Sequence, residues 1–285
     1  MLVDLIQTTT RDDIRLDGGY QAPATSTKSL PIDAFCLIHG TGSNFYSSSL
    51  LESIANRLVE LGAGVLRANT RGHDALSTAV TSHGGKRQGA AYEVVDDCRH
   101  DIAAWMAWLK EKEGPRIGLC GHSLGAVKCL YALAHQSDLT PACVVAISPP
   151  RLSYSWFCDS ANRTNFLEHI ARAERLVAEG NPAGLMEITL PLPMLITAAG
   201  YLEKYGPEER YNFLKFLPAV RCPALVTFGE LEVASNMAFQ GLPEAIGSRR
   251  NANVTVQTVS AADHFYTRVR PELIARLVQW LEGLG

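Results

Sequence analysis

Along most of its length the chain alternates short apolar runs with longer amphipathic stretches. Residues 34–38, 64–68, 116–120, 142–147, 224–228 and 254–259 are the strand candidates. Several, such as AFCLI at 34–38, are apolar at every position, the pattern of a strand buried on both faces of a parallel sheet. Helix candidates lie between them. Ser49 reads as an N-cap with Glu52 three residues on; Leu50, Leu51, Ile54, Leu58 and Val59 follow at helical spacing, and Gly62 is placed to end the helix. Tyr92, Val95, Cys98, Ile102, Trp105 and Leu109 form one stripe of a long helix expected over 88–112. Further helices are expected over 124–135, near 236–246, and after Pro271, where Leu273, Ile274, Leu277 and Leu281 recur. The opening stretch, 2–16, is rich in β-branched residues and broken at Arg11-Asp12-Asp13, so it reads as an antiparallel strand pair at a sheet edge. Gly18-Gly19, Pro23 and Pro31 then mark a loop.

This rhythm predicts an α/β fold: a mostly parallel, doubly wound sheet with helices on both faces. It stops between Ser148 and Pro218. Residues 151–217 contain no convincing strand and carry Pro182, Pro191, Pro193 and Pro207. The expected organisation is a core of 1–150 and 218–285 with a helical insertion, 151–217, emerging from the C-terminal edge of the sheet. Ligands bind at that edge in open α/β sheets, so the insertion is a candidate lid.

Composition narrows the class. The chain has 285 residues, 47% of them apolar, and 26 basic against 29 acidic residues give a net charge of -3. Such a balance lacks the basic footprint of a nucleic-acid-binding protein. Lys86-Arg87, in a Gly-rich stretch, is expected to be a solvated turn. Seven cysteines without C-x-x-C spacing argue against a disulfide framework or a zinc site and suit a reducing compartment such as the cytoplasm. No signal peptide is evident, and no apolar run of about 18 residues suggests stable membrane insertion. No cofactor motif is present; the oligomeric state is not legible.

The chemistry concentrates at Gly121-His122-Ser123-Leu124-Gly125, a G-x-S-x-G pattern between a buried strand and a helix. There a serine hydroxyl is lifted above the sheet beside a helix N-terminus. Such a nucleophile needs a base. His264, in Ala262-Asp263-His264-Phe265 just past the last strand, ends on the same edge. An orienting carboxylate is expected between them in sequence: Glu232, with Glu230 as rival, in Gly229-Glu230-Leu231-Glu232. Backbone N–H groups of Leu124 and Thr41, the latter in His39-Gly40-Thr41-Gly42, are the candidate oxyanion hole. Gly40 and His122 flank the expected substrate position, although His39 and His122 also read as loop braces. Trp156, Phe157 and the run Leu190-Pro191-Leu192-Pro193-Met194-Leu195-Ile196 are open between a pocket lining or membrane-touching lid and the insertion's own core. Asp96, Asp97 and Asp101 read as a solvated helix face rather than metal ligands.

These four segments resemble the oxyanion loop, nucleophile elbow, acid loop and histidine loop of the α/β-hydrolase superfamily. Asn69-Thr70-Arg71-Gly72-His73 resembles its D-x-R-G-H-G segment, departing from it at Asn69 and Asp74. The resemblance covers the chain except the insertion and implies hydrolysis of a small-molecule, ester-like substrate. Glu232 stands where aspartate is usual, as glutamate does in some members. Acyl transfer or hydrolysis of a C–C bond on the same triad remains open, as does a non-catalytic protein that keeps the pocket for ligand binding. Ser123 excludes the elbow aspartate that epoxide hydrolysis or dehalogenation requires.

Overall fold

A computed structural model describes residues 2–249 and 251–285. Its twelve strands are β1 (Asp4–Thr9), β2 (Arg15–Gln21), β3 (Ala34–Ile38), β4 (Gly64–Ala68), β5 (Ser77–Thr81), β6 (Gly84–Gln88), β7 (Ile117–His122), β8 (Cys143–Ile147), β9 (Leu185–Ile188), β10 (Met194–Thr197), β11 (Ala224–Gly229) and β12 (Val254–Val259). The helices are α1 (Ser49–Glu60), α2 (Cys98–Glu113), α3 (Leu124–His135), α4 (Tyr154–Cys158), α5 (Arg163–Ala178), α6 (Ala198–Tyr205), α7 (Phe213–Phe216), α8 (Glu230–Ser235), α9 (Leu242–Gly247) and α10 (Arg270–Glu282).

Eight strands form one sheet in the order β1-β2-β4-β3-β7-β8-β11-β12. The six from β4 to β12 are parallel, and β1 and β2 add an antiparallel edge. Period-two alternation splits the apolar strands between two cores. Phe35, Leu37, Val65, Cys120 and Val145 pack with α1 and α10. Cys36, Ile38, Leu66, Leu119 and Val144 face the other way, with α2, α3 and the insertion. The expected mostly parallel, doubly wound architecture is therefore present.

Several local expectations are corrected. Gly18 and Gly19 are not in a loop but within β2; a side chain at Gly18 would meet Trp105 and Leu66 at 3.1 Å, so the close approach of the long helix accounts for glycine there. Ser48, not Ser49, caps α1, accepting from the Leu51 N–H. The long helix begins at Cys98 rather than 88: Gln88 closes the β5–β6 hairpin, 89–94 are turn and irregular backbone, and Val95–Asp97 form a 3-10 turn; Lys86 and Arg87 are exposed in the second strand of that hairpin rather than in a turn. Asp101 is not solvated: it is fully buried, and the Arg71 guanidinium donates to it at 2.8 Å while also bonding Asp12 at 2.7 Å and Asp97 at 3.2 Å. Of the helix expected near 236–246 only α9, from Leu242, is present; α8 ends at Ser235, and residues 236–241 form a turn between the two. The insertion holds an antiparallel pair, β9 and β10. Four-residue strands are too short to show a period, and the prolines between them mask the hairpin.

Candidate active site

The parallel strands end in register, and the segments holding Gly40, Ser123, Glu232 and His264 follow their C-terminal ends. Ile38 pairs with Gly121, His122 with Ile147, and Gly229 with Val259. Ser123 follows β7 and sits at φ 57°, ψ -126°, a conformation that costs a non-glycine residue of order 1–3 kcal/mol. The flanking glycines make the sharp turn sterically open. A Cβ at Gly121 would collide with the Gly125 backbone, and one at Gly125 with the carbonyls of Ile38 and His39. The oxyanion-loop candidate is pressed against the elbow: a Cβ at Gly40 would lie 3.0 Å from the Ser123 Cβ and 3.5 Å from its Oγ.

Strands β7 and β12 lie three spacings apart, roughly 14 Å. The loop after β12 folds back across this gap. The His122 Nε2–H donates to the His264 carbonyl at 2.9 Å, and the two imidazole centroids are 4.7 Å apart. Burial, reinforced by His264, pushes the His122 pKa down to about 3. His122 is thus a neutral brace that fixes the histidine loop beside the elbow; being 4% exposed, it presents little surface to a substrate.

His264 Nδ1 meets Glu232 Oε2 at 2.6 Å. The other carboxylate oxygen accepts from the Gly229 N–H at 2.7 Å and the Ser148 hydroxyl at 2.5 Å. Ser148 is also 3.1 Å from the Tyr266 hydroxyl, which reaches Thr227 at 3.2 Å. Glu232 is therefore buried yet satisfied by neutral donors. Glu230, the rival acid, instead accepts from Ser260 and Ala261 at 2.8 Å and is exposed. The His264 ring also packs against Phe239 at 5.2 Å and Phe265 at 5.1 Å. Ser148, Tyr266 and Phe239 were missed in the sequence. A positive φ of 49° at Ser148 and 51° at Tyr266 marks both as constrained, but that signal exists only in coordinates.

Among the described residues, neither the Thr41 nor the Leu124 backbone N–H donates to a protein acceptor. Among the described residues the Ser123 hydroxyl has no hydrogen-bond partner; His264 bonds Glu232 through Nδ1, and its Nε2 meets no described protein group. His39 is a brace, donating from Nδ1 to the Gly40 carbonyl at 2.8 Å and accepting at Nε2 from the Thr70 N–H at 3.1 Å. Asn69 accepts from the Phe45 N–H at 2.8 Å, so its amide ties two loops of this rim.

The insertion's residues divide. Trp156 donates to the Met237 carbonyl at 2.7 Å and lines a cleft of about 790 Å³ with Asn162, Leu190 and Pro191. Phe157 does not line it with a free face: it is 1% exposed and packs on Phe166 at 5.2 Å, because α4 and α5 bury it between them. In the apolar run, Ile196 is buried while Leu192 and Leu195 remain exposed. Neither this cleft nor a second of about 660 Å³ around Leu133 and Pro218 is lined by Ser123 or His264.

The profile described as "Alpha/beta hydrolase family" matches residues 37–277. The chain belongs to the alpha/beta hydrolase family. No curated protein matches it in sequence. Among solved structures, this alpha/beta hydrolase is similar to the esterase Pf2001 of Pyrococcus furiosus, with TM-score 0.67 and 18% identity over 100% of this chain and 92% of that one. It is also similar to Est1E of Butyrivibrio proteoclasticus, with TM-score 0.64 and 15% identity over 98% of both chains. The alpha/beta hydrolase GrgF of Penicillium sp. sh18 gives TM-score 0.69 and 16% identity over 99% of this chain and 100% of that one. At these identities the likeness establishes the fold. No helix among the described residues is long and apolar enough to cross a membrane.

Proposed function

We propose that this alpha/beta hydrolase is a serine esterase acting on a small carboxylic ester with a hydrophobic acyl or alcohol part. Ser123 is its nucleophile, His264 its base and Glu232 its orienting acid. The observation that carries the reading is the 2.6 Å His264–Glu232 contact at the strand ends that also hold the strained Ser123. With Nδ1 committed to Glu232, the free Nε2 is the nitrogen that takes the serine proton. The alkoxide attacks the ester carbonyl, and the Thr41 and Leu124 N–H groups receive the oxyanion. His264 then protonates the departing alkoxide, and water reverses the sequence on the acyl-enzyme. Glu232 stabilises the imidazolium formed in each half. Catalytic hydrogen bonds such as the Ser123–His264 contact this requires often tighten only in the substrate complex.

The insertion, 151–217, supplies the lid in this reading. Its first turn is stitched to the 236–240 loop through the Arg151 N–H to Ala238 carbonyl bond at 2.8 Å and through Trp156. That loop carries Phe239 against His264. Seven free cysteines support a reducing compartment such as the cytoplasm. The chemistry calls on no cofactor, nucleic acid or membrane partner. Hydrolysis of p-nitrophenyl esters of graded chain length tests the proposal. We expect turnover of members of the series that is lost in Ser123→Ala. Absence of turnover across the series, or undiminished turnover in Ser123→Ala, contradicts it.

A further inference from the structure

We propose that Lys128 is a positioning residue for the oxyanion hole, acting through Thr70 and His39 on the peptide that presents the Thr41 N–H. The inference rests on the serine-esterase reading above. Lys128 lies on α3, little more than one turn beyond Ser123, and is fully buried. Its ammonium pairs with buried Glu93, whose other oxygen is 3.7 Å from Lys204 of the insertion, and it donates to Thr70 Oγ1 at 2.9 Å. None of these groups takes part in the mechanism described above.

The polarity of this chain of contacts is fixed by chemistry. An ammonium has donors only, so Thr70 Oγ1 accepts from Lys128 and turns its own hydrogen elsewhere. His39 Nε2, 3.3 Å away, is the acceptor it meets, and the Thr70 N–H points at the same nitrogen. Nε2 is therefore unprotonated and Nδ1 carries the hydrogen donated to the Gly40 carbonyl. Burial, then the Lys128 charge, pushes the His39 pKa down to about 3, so the ring stays neutral. A protonated ring would set an Nε2–H against the Thr70 N–H. The Gly40 carbonyl and the Thr41 N–H belong to one planar trans peptide and point in opposite directions. Holding the carbonyl on His39, with the Ser43 N–H at 3.3 Å, thus turns the Thr41 N–H away from that ring. The same glycine abuts Ser123.

The test compares Thr70→Val, Thr70→Ser and Lys128→Met with the wild type, on a p-nitrophenyl ester and a fluorophosphonate probe. Thr70→Val keeps volume, charge and backbone N–H, so it reports on the relay even where Lys128→Met fails to fold. Removing an oxyanion donor outright costs about 10²–10³ in kcat, and misaiming one should cost less. We expect kcat to fall about tenfold in Thr70→Val and in Lys128→Met with KM within about twofold, the signature of an interaction made in the transition state. Thr70→Ser should recover kcat to within about threefold of wild type. A wild type that labels at Ser123 beside a Thr70→Val variant with unchanged kcat overturns the positioning role alone. Equal impairment of the Val and Ser variants does the same. A wild type that neither labels nor turns over removes the esterase reading, and this inference with it.

Discussion

Two buried carboxylates, about equally hidden from water, are held in opposite ways. Glu232, 4% exposed, meets the neutral Gly229 N–H and Ser148 hydroxyl on one oxygen and the His264 ring on the other. Glu93, 1% exposed, is clamped between two ammonium groups, Lys128 and Lys204. The cations outweigh its burial and hold its pKa below the ordinary glutamate value. A carboxylate already neutralised by lysines has little left to offer a transient imidazolium. One supported by neutral dipoles keeps its charge available for the moment His264 becomes positive. In the proposed reading the strand-end carboxylate serves proton transfer, while Glu93 ties Lys128 of the sheet-flanking helix to Lys204.

Four changes break or sharpen this contrast. Glu232→Gln should have the largest effect, lowering kcat by about 10³–10⁴ with little loss of stability, because an amide cannot stabilise the charged ring. Steady-state kinetics alongside thermal unfolding checks it. Glu93→Gln should reverse the emphasis. It leaves two lysines buried without their counter-ion, which costs about 3–5 kcal/mol of unfolding free energy in a urea titration. An effect on kcat as large as that of Glu232→Gln, with stability intact, would dissolve the contrast.

Acid titration comes next. His39 and His122 both have folded pKa values pushed down to about 3 by burial, against 6.5 for an ordinary ring. The unfolded chain thus binds more protons as pH falls below 6.5, and stability should decline from there toward pH 3. The slope approaches about 1.4 kcal/mol per pH unit for each ring. Glu93, with its pKa lowered, adds to the loss once pH falls below the ordinary 4.5. Unfolding curves at successive pH values should show this, with His122→Asn roughly halving the slope near pH 5.5. The smallest effect belongs to Glu230→Gln, an exposed neighbour of Glu232 in the same segment. Its kcat should stay within about twofold of wild type.

What was legible in the sequence follows from how each feature encodes itself. The central strands were readable because burial on both faces leaves them apolar at every position, as in AFCLI at 34–38. Helix α3 was readable because the elbow fixes its start at Leu124. The β5–β6 and β9–β10 hairpins were not, since strands of four or five residues with exposed faces carry no clear period. The elbow, the histidine loop and the acid loop were visible because their glycines and strand-end positions are local. That Glu232 rather than Glu230 meets His264 depends on the first turn of α8, which buries one and exposes the other. Asp101 looked like one member of an exposed acidic face. Its burial depends on Arg71 arriving from a loop 30 residues away, a pairing no local pattern announces.

The central claim is that the Ser123 hydroxyl is activated by the His264–Glu232 pair. Peptide mapping of the adduct formed with a fluorophosphonate probe tests it most directly. The account predicts a single modification on Ser123, slowed sharply in His264→Gln. An adduct on another residue, or labelling of Ser123 at an unchanged rate in His264→Gln, would contradict it.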